Sequence, residues 1–106
     1  MEGLHGQWMI STHKKFGCTE CHLPAGNAID RFGYKTKAGL NDLFHEVLRD
    51  YRVTGMLSGD GRTIVNGNCI RCHRVTVEAT PMVESARNCL KCHRGLVHGR
   101  GIPKGV

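Results

Sequence analysis

Three pentapeptides in this 106-residue chain share one pattern: Cys18-Thr-Glu-Cys21-His22, Cys69-Ile-Arg-Cys72-His73 and Cys89-Leu-Lys-Cys92-His93. Together they use all six cysteines. A Cys-x-x-Cys pair can be a redox dithiol, half of a zinc site or a covalent haem anchor. The residue after each pair separates the three. A ribbon of cysteine ligands has no use for a histidine after the second thiol, yet His22, His73 and His93 all stand there. The sixteen residues between Cys72 and Cys89 do match a zinc-ribbon spacing, but that reading leaves Cys18 and Cys21 without partners. A thioredoxin-like dithiol needs one pair in alternating strands and helices, a pattern this sequence does not offer. Covalent haem c uses every cysteine: each thiol adds to a vinyl group, and the adjacent histidine binds the iron. The motifs therefore predict three haems, on Cys18/Cys21, Cys69/Cys72 and Cys89/Cys92, with His22, His73 and His93 as proximal ligands.

Composition agrees with that chemistry. Aromatic residues make up 6% of the chain, and so small a domain builds no large core without cross-links or cofactors. Haems supply both. The net charge is +6 and the pI about 9.2, but Lys and Arg are scattered, the longest basic run being Lys14-Lys15. No nucleic-acid tract is present, and the propionates of three haems would bring about six negative charges that offset the balance. No run of ten apolar residues occurs, so no stretch is a candidate to span a membrane. The first fifteen residues hold no signal-peptide core.

The second axial position decides what each iron can do. One protein ligand leaves room for a small molecule; two suit electron transfer. Four histidines lie outside the motifs. His13 is nine residues before His22 and His98 five after His93, each too close to wrap round its own haem and better placed to serve a neighbouring one. His45 falls off the apolar stripe of its helix, among charged residues, and is expected to be solvated; His5, in a glycine-flanked stretch, is uninformative. A lysine can also ligate, as the neutral amine.

The elements that position these residues are expected to be mainly α with much irregular loop, a single domain over 1–106 organised around covalently bound haems. A loop is predicted over 23–33. An amphipathic helix follows to about Tyr51, because Leu40, Leu43, Phe44, Val47, Leu48 and Tyr51 recur with helical period. A glycine-rich turn region near 55–67 and short helices around Cys69 and from Pro81 to His93 come next, then a loose tail over 100–106.

Ser11-Thr12-His13 before the first motif, the run from Phe32 to Asp42, Asn66-Gly-Asn68 before the second motif and the segment from Asn88 to His98 resemble, in order and spacing, the NapC/NirT family of membrane-anchored multihaem cytochromes c. The likeness covers almost the whole chain and is strongest to the branch that partners cytochrome c nitrite reductase. It implies an electron-transfer subunit that takes electrons from membrane quinol to a periplasmic multihaem reductase, within a hetero-oligomeric complex on the periplasmic face of the membrane. It also implies that His13 ligates the haem held by His93, that His98 ligates the haem held by His73, and that Lys35 ligates the haem held by His22, with Lys37 the alternative. Asp42 matches an acidic residue near the site of quinol oxidation. The family carries four haems and an N-terminal membrane helix. Met1 falls where its first haem has a methionine ligand, so a preceding segment with a fourth haem and an anchor is expected. A soluble three-haem shuttle and a zinc module are the alternatives.

Overall fold

The computed structural model describes residues 2–50, 57–81, 88–93 and 95–99. Among these the chain is helical, with no strand: α1 (Glu2–Met9), α2 (Cys18–His22), α3 (Ala28–Leu48), α4 (Gly59–Val77) and α5 (Cys89–His93). Met1, Tyr51 and the tail from 100 lie outside the described residues, as does 82–87 of the helix expected from Pro81.

The mainly α expectation holds, but two boundaries differ. The loop expected over 23–33 ends at Asn27, because the Asn27 side chain accepts from the Asp30 amide at 2.9 Å and caps α3, which starts at Ala28. The glycine-rich region is largely helix. Ser58 caps α4 by accepting from the Gly61 amide at 3.1 Å, and α4 runs through Gly59, Gly61 and Gly67 into the second motif. Glycine costs a helix about 1 kcal/mol relative to alanine, but at Gly61 its small size is used. A Cβ there would meet Ser58 Oγ at 3.2 Å and Leu57 Cδ2 at 3.4 Å. At the other end, α3 closes on Arg49 in the left-handed region (φ 51°), whose amide and that of Asp50 reach back to Glu46 and His45.

The helices do not bury a conventional core. Val65 is the buried apolar side chain and Asn68 the buried polar one among the described residues. Ile29, Phe32, Leu40, Phe44 and Val47, all on α3, remain largely exposed. What holds the elements is α4, which packs against both α2 and α5 and is tied to α3 by an exposed Lys37–Asp60 ion pair at 2.6 Å.

Candidate functional site

All three motifs adopt the same local geometry. In α2, α4 and α5 the cysteines sit three residues apart on helix, which places both thiols on one face. After its histidine α2 gives way to extended Leu23, α4 departs from helical angles at His73 (φ −101°, ψ 15°), and α5 runs from Cys89 to His93. Each histidine follows its second cysteine and stands about one helical turn on from the first. Burial, then the neighbouring Cys72, pushes the Cys21 thiol above its usual value. Burial, then Cys89, does the same for Cys69. The attachment points are therefore neighbours, and the middle motif lies between the other two.

The histidines outside the motifs come to meet those within them. The ring of His98 lies 6.1 Å, centroid to centroid, from that of His22, and the ring of His13 lies 6.1 Å from that of His73. An imidazole nitrogen sits about 2 Å from a first-row metal and about 1.1 Å from its ring centre, so two imidazoles across one iron have centroids about 6.3 Å apart. Both pairs are compatible with that separation, which is also an ordinary ring-packing distance, as His13 with Phe16 at 6.3 Å shows. Burial, then His98, lowers the pKa of His22 below the ordinary histidine value, so the ring is disposed to be the neutral donor a metal requires.

The remaining ring nitrogens are occupied. His98 Nδ1 donates to the Leu4 carbonyl at 3.2 Å, which ties α1 to the far end of the chain. His13 Nδ1 is 3.2 Å from Thr12 Oγ1, and the His13 amide donates to Ser11 Oγ. The Leu4 carbonyl requires the proton on Nδ1 of His98 and so leaves Nε2 as the donor atom, the usual second contact of a metal-ligating histidine.

His13 lies beside His73 and His98 beside His22, whereas the resemblance assigns His13 to the haem held by His93 and His98 to the haem held by His73. Lys35, which the resemblance assigns to the haem held by His22, lines a surface cleft of about 500 Å³ with Thr19, Leu23, Arg31 and Phe32, beside the first motif. Lys37 is engaged with Asp60. Asp42 is exposed on α3, two turns and about 10.5 Å along the axis from Lys35 on the same face. His45 is half-buried, its Nδ1 3.8 Å from Asp50, and His5 packs beside Trp8.

The residues fit haem c. Three thiol pairs share one helical spacing, two motif histidines each have a second imidazole beside them, and exposed Phe32, Leu40 and Phe44 offer apolar surface. Among the described residues no three of His, Cys, Asp and Glu converge as a zinc site requires.

No protein-family model matches the chain. It is 33% identical over 89 residues to the cytochrome c-type protein NrfH of Wolinella succinogenes, covering 83% of this chain and 50% of that protein. It is 32% identical over 77 residues to the cytochrome c nitrite reductase subunit NrfH of Nitratidesulfovibrio vulgaris, covering 69% and 46%. The chain is homologous to the NrfH cytochromes. It spans about half the length of these curated NrfH relatives. A crystal structure of the cytochrome c nitrite reductase NrfHA complex bound to the inhibitor HQNO superposes with a TM-score of 0.75 at 27% identity, over 95% of this chain and 69% of the matched one. The multihaem cytochrome c fold expected from the sequence is thus the fold observed. No described helix is long and apolar enough to cross a membrane.

Sequence reasoning missed Asn66, Asn68, Leu4 and Thr12. The Asn-Gly-Asn run before Cys69 was a visible signal. The Leu4 carbonyl, ninety-four residues from His98, had none.

Proposed function

We propose that the chain is an electron-transfer subunit that takes electrons from membrane quinol and delivers them to a periplasmic multihaem reductase, with cytochrome c nitrite reductase as the partner. The observation that carries this reading is that two motif histidines each have a second imidazole beside them, His22 with His98 and His73 with His13, with ring centroids 6.1 Å apart. Haem c, when bound at Cys18/Cys21, Cys69/Cys72 and Cys89/Cys92, supplies one-electron carriers held close together. His22, His73 and His93 would each hold one of these haems. His98 and His13 would serve as second ligands to the first two, and an iron with two protein ligands suits relay rather than substrate binding. Leu4 and Thr12 orient the two distal rings through Nδ1.

Asp42 is the candidate acid/base for quinol, an exposed carboxylate on α3 able to take a proton as electrons leave. Lys35, in the cleft beside the first motif, places a cation on the same helix face. The likeness to the two NrfH relatives and to the NrfHA complex supports nitrite reductase as the acceptor and the periplasmic face of the membrane as the place of work. Mixing the haem-loaded chain with cytochrome c nitrite reductase, a reduced quinol analogue and nitrite tests the reading. Quinol oxidation that depends on both proteins and on nitrite is expected, slowed in Asp42→Asn. Reduction by soluble donors with none by quinol would instead make the chain a shuttle cytochrome.

A further inference from the structure

The two asparagines before the second motif lie two residues apart on α4, which sends their side chains about 200° apart around the helix. Each reaches a different attachment helix. Asn68 is 4% exposed, and its Nδ2 donates to the carbonyls of Cys21 at 2.9 Å and Leu23 at 2.8 Å. Those two carbonyls flank the proximal ligand His22. Asn66 Oδ1 accepts from the amide of Cys89 at 2.7 Å, the first residue of α5. Helix ends leave carbonyls and amides without partners inside the helix; here α4 supplies them from outside, at the end of α2 and at the start of α5. Arg71, inside the second motif, adds a bond from Nη2 to the Glu20 carbonyl within the first, at 3.1 Å.

We propose that Asn68 and Asn66 are positioning residues that set the first and third haem sites against the middle one, each acting on one site alone. The proposal rests on the haem reading above. A buried side-chain amide with both hydrogens engaged holds the backbone around His22 in one orientation, and with it the plane of the imidazole and the strength of its bond to iron. Asn66 does the same for the helix that begins at Cys89.

The test uses N68L, N68D and N66L in the full haem-loaded chain, with intact mass for haem count, EPR for ligand geometry and redox titration for each haem. N68D keeps the shape of the side chain and loses the donors, so it should behave as N68L does. Both should retain every haem and move the one at Cys18/Cys21 by at least threefold in its reduction equilibrium, about 28 mV for one electron, with the others unmoved. N66L should move only the haem at Cys89/Cys92. Combining each variant with H98A, which takes the His22 haem out of the low-spin spectrum, assigns the shifted signal. If N68L fails to accumulate, N68S is titrated by the same criteria. Shifts shared equally by all haems, or no shift in either variant, overturn the proposal. A wild-type chain without covalent haem by mass would instead overturn the reading on which it rests.

Discussion

Replacing His98 with alanine should remove one axial nitrogen from one haem and leave the others untouched. The expected size follows from the motif count: three attachment sites, each carrying about one third of the haem, and one histidine 6.1 Å from His22. His98→Ala should therefore convert about one third of the haem to a high-spin or water-ligated form, read by EPR and by the visible and near-infrared bands. His13→Ala should convert another third, because His13 faces His73 and shares no partner with His98. Effects at separate sites add, so the double variant should convert about two thirds. Added imidazole should restore the low-spin bands. A double variant that converts no more than either single one would mean that both histidines act on one iron, and a single variant with an unchanged spectrum would refute its ligand role outright.

Further outcomes follow from local geometry. Asn27→Ala should lower stability by about 1 kcal/mol, measured by chemical denaturation, because it removes the cap on the Asp30 amide. Arg49→Gly should raise it by about 1 kcal/mol, since glycine adopts the left-handed conformation of that residue without steric cost. Lys37→Ala should leave the haem spectrum unchanged, because the amine is engaged with Asp60 on α4, and should cost little stability, because both groups are exposed and solvent screens their attraction; an altered low-spin signal would return Lys37 to the candidate ligands.

The three Cys-x-x-Cys-His motifs were legible in the sequence because the chemistry they offer is local: two thiols and an imidazole within five residues. That His13 and His98 lie beside histidines of motifs other than the one each adjoins in sequence was also legible, as a constraint on chain length. Which histidine each would meet was not. That depends on how the turn around Ser11 and the start of α1 lie against α4 and against residue 98, through contacts such as Leu4 with His98 that leave no trace in spacing. The start of α3 was misplaced for a different reason. A loop was expected through Gly33, while the Asn27 cap with Asp30 three residues later, followed by Ile29 and Phe32 one turn apart, already marked a helix start. The glycines of α4 misled likewise, since glycine is also used inside helices where elements approach closely, as at Gly61. The exposed apolar face of α3 is the converse case: the stripe was read correctly, but no other helix among the described residues covers it.

The account turns on the two imidazole axes, and the position of iron tests them most directly. Anomalous diffraction at the iron edge from crystals of the haem-loaded chain should place one iron midway between His22 and His98 and a second midway between His13 and His73, about 3 Å from each ring centre. An iron lying between His13 and His93, or between Lys35 and His22, would contradict it.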